Sequence, residues 1–230
     1  MSDFQQRLNV AYEKRNQIPA DRYSLHNPAT RYMVEVREAN VLSILGEIGF
    51  ANLADKKVLD IGCGSGGELK NFIQYGASPE KLSGIDMLKD RVVAARATLP
   101  LCEVVEGNGA SSLPWADSTF NLALQFTVFT SILEPDVKES LAKEVLRVIK
   151  PGGFLIWYDF QFDNPANKDV KGVKMPEILG LFPGCRVKMK RITLAPPITR
   201  TIAPLSTRLC SLLERLVVLN THYIGYIQKP

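Results

Sequence analysis

The strongest constraint on this chain is an alternation running from Val58 to Tyr158. Val58–Ile61 reads as a short strand ending in glycines, and Glu68–Tyr75 as a helix closed by Gly76. Leu82–Ile85 reads as a second strand, followed by a helix over Lys89–Leu99 that Pro100 stops. Cys102–Val105 and Asn121–Phe126 read as the third and fourth strands. Glu134–Ile149 is helical, with Val137, Leu141, Val145, Leu146 and Ile149 on one face, and Gly153–Tyr158 is a fifth strand. Parallel strands cannot be joined by a tight turn, so this order implies a parallel sheet with crossover helices.

The two ends break the rhythm. Residues 3–17 and 33–49 look helical, and RYSLHNPATRY between them looks turn-like. Lys174–Leu181 reads as a helix and Arg186–Leu194 alternates as a strand. Leucines at 205, 209, 212, 213 and 216 have helical spacing, and His222–Gln228 is strand-like again. The two late strands, with their long connection, suit an antiparallel hairpin at one sheet edge.

Composition narrows the setting. The 230 residues are 46% hydrophobic and 23% charged, the profile of a soluble globular protein. No apolar run reaches the ~18 residues of a membrane span, and the polar, mixed-charge start does not read as a secretory leader. Cys63, Cys102, Cys185 and Cys210 show no CxxC spacing, so reduced thiols in a cytoplasmic protein are expected. With two histidines and no paired cysteines, no metal site is expected.

Charge is uneven. From Gly184 onward eight basic residues face one acid, Glu214, so that segment carries +7 of a chain whose net charge is +4. Aromatics do not interleave with these charges as they do in a nucleic-acid groove, so no nucleic-acid partner is expected. The Leu205–Val218 helix then has two readings. One is a lid whose apolar stripe covers a pocket. The other is peripheral membrane contact, with Arg208 and Arg215 toward lipid headgroups.

The chemistry concentrates between the first strand and first helix, at Asp60-Ile-Gly62-Cys63-Gly64-Ser-Gly66-Gly67. Glycine lets backbone N–H groups approach a ligand closely. Asp60 and Glu68 suit a cationic ligand better than a phosphate. Asp86 ends LSGID at the carboxyl edge of the sheet, where it can accept both hydroxyls of a ribose, with Met87 against an adenine. Asn108 and Gly109 follow the third strand, where an amide or N–H can read an adenine edge. Gly62, Gly64 and Gly67 also satisfy G-x-G-x-x-G, so an NAD-dependent oxidoreductase is a competing reading of this motif.

VLDIGCGSGG, GIDM, GNGASSLPWADSTFNLALQ and LRVIKPGGFLIW together resemble the class I S-adenosylmethionine (SAM)-dependent methyltransferases, in the branch containing the ubiquinone-type small-molecule enzymes. The resemblance spans residues 56–160. It implies an α/β, Rossmann-like seven-stranded sheet of order 3-2-1-4-5-7-6, strand seven antiparallel, with helices on both faces. It implies SAM as methyl donor and S-adenosylhomocysteine as product. Asp60, Gly62, Cys63, Gly64 and Gly66 would hold the methionine part, Asp86 and Met87 the nucleoside, and Gln125 would line the donor pocket. Gly-Asn-Gly-Ala at 107–110 is one residue longer than the family's usual Gly-Asp-Ala.

Residues 1–50 are then expected to form an N-terminal helical lid, with Tyr12, Tyr23, His26 and Arg31 facing the donor. Residues 51–230 form the methyltransferase domain, and 161–220 supply acceptor-side insertions. HNPATRYMVEVRE and the YDFQFDNPANKDV…LFPGC stretch resemble bacterial methyltransferases encoded among sugar and polysaccharide genes. That points to a small-molecule acceptor, a hydroxyl of a sugar or a polysaccharide or lipid-linked precursor. A catalytically silent SAM-binding partner subunit is a further alternative. Methyl transfer needs alignment above all, and a hydroxyl acceptor gains from a base. His222, Asp159 and His26 are the candidate bases. His222 leads because an unperturbed imidazole titrates at ~6.5.

Overall fold

The computed structural model describes residues 6, 7, 10, 11, 13, 19–164 and 167–230. Most of the expected helix over residues 3–17, and with it Tyr12, lies outside the described residues. Seven strands form one sheet: β1 (Val58–Ile61), β2 (Leu82–Asp86), β3 (Glu103–Glu106), β4 (Phe120–Phe126), β5 (Ile149–Phe160), β6 (Arg186–Leu194) and β7 (Asn220–Gln228). Their order is β3-β2-β1-β4-β5-β7-β6. Neighbours from β3 to β5 pair in parallel, and β7 runs antiparallel to both β5 and β6.

Helices cover both faces, because β1–β5 bury side chains on both sides. On one face α1 (Pro28–Glu47), α2 (Gly67–Gln74) and α3 (Lys89–Thr98) contribute Val41, Ile44, Leu69, Phe72, Val92 and Ala95 to a core with Val58, Leu82 and Ile156. On the other, α4 (Pro135–Val148) and α5 (Met175–Leu181) set Leu141, Val145, Val148 and Ile178 against Leu59, Ala123 and Trp157. A third cluster joins the start of α1 to α6 (Pro196–Ile202) and α7 (Thr207–Glu214) through Ala29, Tyr32, Ala203 and Cys210.

Two local readings change, and one unassigned stretch proves helical. The segment at Asn27-Pro28 is a helix start, not part of a turn. The Asn27 side chain accepts from the N–H groups of Ala29 and Thr30, and Pro28 fits the first helical turn, where its missing N–H costs nothing. The helix therefore begins at Pro28, and Gly49 closes it, the Phe50 N–H reaching back to the Leu45 carbonyl. The proline-containing stretch after β6 is likewise a helix, α6, with its prolines at the first positions. Because α1 buries Val41, Ile44 and Leu45 beside β1 and β2, one core runs across the expected boundary at residue 50.

β7 passes β6 at a close approach that only glycine permits. A Cβ at Gly225 would lie 1.9 Å from the Lys188 carbonyl oxygen and 2.8 Å from the Met189 Cα. Gly225→Ala is therefore expected to strain the β6–β7 ladder and cost about 2–3 kcal/mol, as overpacking does. Urea unfolding reads this directly, and an unchanged midpoint would refute the close approach.

Candidate functional site

The loop from β1 into α2 is held by backbone contacts to β2. The N–H groups of Gly62 and Cys63 both donate to the Ile85 carbonyl, at 2.8 and 3.0 Å. Gly62 sits at φ +68°, and a Cβ there would meet the Val128 side chain at 2.7 Å. Gly66 caps the start of α2. Asp86 then ties three loops together. Its Oδ2 accepts from Gly64 N–H at 2.8 Å and its Oδ1 from Leu88 N–H at 2.9 Å. Its carbonyl accepts from Gly107 N–H at 3.0 Å. Each carboxylate oxygen keeps a second acceptor direction for a ligand hydroxyl.

An acidic cluster lies next to this loop. Asp60 is buried on β1, and its Oδ2 has no hydrogen-bond partner. Burial, with Glu68 and Asp86 nearby, holds its carboxyl well above the usual range. Burial also raises Glu68, against the pull of Arg37, whose guanidinium binds it at 2.5 Å. Arg37 reaches from α1 over the rings of Phe126 and Tyr158, at 5.4 and 5.7 Å, and its Nε has no partner. Gln125 at the end of β4 is fully buried; its Oε1 accepts from Val128 N–H at 3.2 Å, and its Nε2 is unpartnered. Orphaned acid and amide atoms beside an open glycine loop fit a donor that carries an α-ammonium and a sulfonium.

A cavity of about 510 Å³ opens at the carboxyl edge of β1, β2 and β4. Gly62, Asp86, Met87, Asn108 and Gly109 line it together with Arg91, Phe126, Thr127, Val128 and Ser131. Thr127 is held at φ +60°, a strained setting for a threonine, where the chain turns off β4 into the wall. The Asn108 Oδ1 accepts from Ala110 N–H at 3.0 Å, so this side chain shapes its own turn as well as facing the cavity. Asp60, Cys63, Gly64, Gly66 and Gln125 are not on the wall. Cys63 packs inward, where a Cβ on Gly84 would meet its Sγ at 2.8 Å, and burial raises its thiol. Of the four residues expected to face the donor from the N-terminal segment, Tyr23 lines the cavity, His26 and Arg31 are exposed, and Tyr12 lies outside the described residues.

None of the three candidate bases lines the cavity. Asp159 is wholly buried and ties down the 129–131 turn. Its Oδ1 accepts from the Thr130 hydroxyl at 2.6 Å and Phe160 N–H at 3.0 Å, and its Oδ2 from Thr130 N–H at 3.1 Å. Burial raises it to about 7. His222 is 3% exposed, stacked on Tyr158 at 4.7 Å and bonded through Nδ1 to the Thr221 hydroxyl at 3.0 Å. Burial, reinforced by the Arg37 charge, pushes its imidazole down to about 3, far from the unperturbed value that made it the first candidate. His26 sits in the turn before α1. The Leu205–Val218 segment corrects another expectation: Leu205, Leu209, Leu212 and Leu216 are exposed, Leu213 packs on the cluster shared with α1, and none of them lines this cavity.

Arg37 escaped the sequence reading. It sits within a helix whose polar and apolar residues follow no clear stripe, and only tertiary packing aims it at the ends of β4 and β5. Among the described residues, no group of three or more His, Cys, Asp or Glu is placed to hold a metal ion, and no helix is long and apolar enough to cross a membrane.

The insertion of antiparallel β7 between β5 and β6 separates this sheet from the 3-2-1-4-5-6 dinucleotide-binding order. That removes the footing of the NAD reading, which rested on the glycine motif alone. A family model described as a methyltransferase domain matches residues 58–153. The chain is 32% identical over 119 residues to a sterol 4-C-methyltransferase of Caenorhabditis elegans, covering 49% of this chain and 34% of that protein. It is 32% identical over 114 residues to a phthiotriol/phenolphthiotriol dimycocerosates methyltransferase of Mycobacterium ulcerans, covering 49% of this chain and 40% of that protein. A solved SAM-dependent methyltransferase from Methanosarcina mazei shares the fold, with TM-score 0.57 and 21% identity over 80% of this chain and 96% of that one.

Fold and glycine loop together define a Rossmann-like methyltransferase domain. Residues 58–153 match a methyltransferase-domain model, and the sheet has the fold of solved SAM-dependent methyltransferases. The chain spans only about a third to two-fifths of the length of the curated relatives it matches, 34% and 40%.

Proposed function

We propose that this chain transfers the methyl group of SAM to a hydroxyl of a lipid or lipid-linked acceptor. The observation that carries the donor assignment is Asp86, anchored by Gly64 and Leu88 with its carboxylate on the cavity wall. SAM, when bound, supplies an electrophilic methyl on a sulfonium. In this reading Asp86 holds the ribose, Met87 packs on the base, and Asn108 and Gly109 meet its edge. Asp60, Glu68 and Gln125, beside the glycine loop, hold the methionine end, with Arg37 fixing the Glu68 carboxyl in place.

The acceptor side is mixed in character. Phe126, Val128, Ile132 and Leu141 give the wall an apolar surface, while Arg91 and Ser131 add polar contacts. That composition supports a partly apolar acceptor, as do relatives named for sterol and phthiotriol dimycocerosate methylation. Alignment in this enclosed wall is the main source of rate. His222 stays neutral at working pH and serves as packing where β5 ends and β7 begins, and Asp159 positions the turn that carries Ser131.

Calorimetry with SAM, S-adenosylhomocysteine and NAD tests the donor, with tight binding expected for the first two. Methyl-labelled SAM offered with sterol, glycolipid and free sugar acceptors tests the reaction, with label expected in the lipid phase. Label confined to free sugars would reject the lipid acceptor. SAM binding with no transfer to any acceptor would favour a silent partner subunit.

A further inference from the structure

The segment following β6 presents an apolar surface with no cover among the described residues. Leu205 is 86% exposed, Leu212 59%, Leu216 54% and Val218 75%, with Leu209 and Val217 also exposed. Cys210 is turned inward, into the cluster shared with α1. Leu209 and Leu212 lie three residues apart on α7, and Leu205 before it and Leu216, Val217 and Val218 after it extend the exposed apolar surface. Arg208 and Arg215 lie exposed beside it. The single acid of the region is withdrawn: Glu214 accepts from the Tyr32 hydroxyl and, at 2.7 Å, from Thr193 N–H. The outward face of α7 is therefore leucine and arginine without a carboxylate.

This face connects to the cavity. α6 packs against both α7 and α1, and Arg200 on α6 lies within electrostatic reach of Arg22 and Tyr23. Tyr23 lines the cavity and is itself 49% exposed, with Leu25 exposed beside it in sequence. Basic and apolar side chains thus run from this surface toward the cavity mouth.

We propose that this face of α7, with the exposed leucines and Arg208 and Arg215, docks on the surface of an anionic lipid bilayer. An interfacial helix buries its apolar side among acyl chains and sets its cations among acidic headgroups. A second copy of the chain is a poorer occupant, because a two-fold contact through this face would bring like arginines together. Nucleic acid would leave the leucines facing phosphates. Docking would present a bilayer-borne acceptor to the Tyr23 side of the cavity; that last step rests on the reaction proposed above, whereas the docking does not.

Cosedimentation tests the docking without any activity measurement. The full chain is mixed with vesicles of phosphatidylcholine containing phosphatidylglycerol, and with vesicles of phosphatidylcholine alone. Binding is expected on the first, weaker on the second, and reduced by salt. Leu212→Glu/Leu216→Glu and Arg208→Glu/Arg215→Glu should each weaken binding at least about tenfold. These side chains are exposed, so thermal midpoints should stay near wild type, and the salt dependence of the unsubstituted chain tests the idea without a variant. No binding to anionic vesicles, or binding that both double variants retain, would overturn the proposal. So would a concentration-dependent dimer that the leucine substitutions disperse.

Discussion

Asp86→Ala is expected to weaken SAM binding by about a hundredfold or more. In the proposed donor site its carboxylate makes two charge-assisted hydrogen bonds to ribose hydroxyls, each worth about 1.5–3 kcal/mol. A second loss adds to this. The same two oxygens accept from Gly64 and Leu88 N–H, so alanine also frees the glycine loop that closes on the donor. Asp86→Asn separates the effects. It retains one acceptor oxygen but loses the charge, and should fall between wild type and alanine. Calorimetry reads the affinities, and circular dichroism confirms the fold. A folded alanine variant that binds SAM as wild type does would remove Asp86 from the donor site.

The second large effect is one of compensation. His222 is pushed down from 6.5 to about 3, mainly by burial. The unfolded chain therefore binds its proton first, and the stability His222 contributes, complete above pH 6.5, is lost as pH falls toward 3. Asp159 is pushed up from 3.8 to about 7, again mainly by burial. Its contribution is complete below pH 3.8 and is lost as pH rises through 7. Between about pH 4 and 6.5 the two slopes oppose, each about 1.4 kcal/mol per pH unit at full effect. Over that range the contributions of these two groups should largely cancel. Asp159→Asn should lose stability on acidification relative to wild type, and His222→Gln should gain it. Urea unfolding across the range checks both signs. Parallel profiles for all three proteins would mean that neither group titrates in the way its burial dictates.

The parts of this molecule readable in sequence are those whose causes are local. β1, β2, β4 and β5 announce themselves as apolar runs bounded by glycine and proline, and the loop at Gly62–Gly67 is a run of residues with one conformational purpose. Asp86 follows, because a polar residue ending a buried strand has only the sheet edge to occupy. Other features depend on partners distant in sequence. α6 carries no clear signal around Pro196 and Pro197, because prolines at a helix start and in a loop read alike. The leucines of α7 have the spacing of a core helix, and only the packing of α1 and α6 decides that Leu213 turns inward while Leu209 and Leu212 face outward. His222 was legible as a residue at the sheet edge but not as a neutral one, since the burial that shifts it comes from Tyr158 and Phe160 on the neighbouring strand.

The placement of β7 also dictates an order of assembly. Among the described residues β6 has no strand partner other than β7, yet β7 follows it in the chain. Until β7 is in place, β6 has nothing to pair with, and β5 shows a raw edge to its surroundings. Such an interval is when nascent sheets stick to one another. β6 is built for the wait: Arg186, Lys188 and Lys190 alternate along it and face solvent. Repeated cations on an unpaired strand repel an identical strand on a neighbouring nascent chain, and in the finished fold the same charges guard the outer edge of the sheet. Part of the positive charge of this region is thus a device for the moments before the protein is complete.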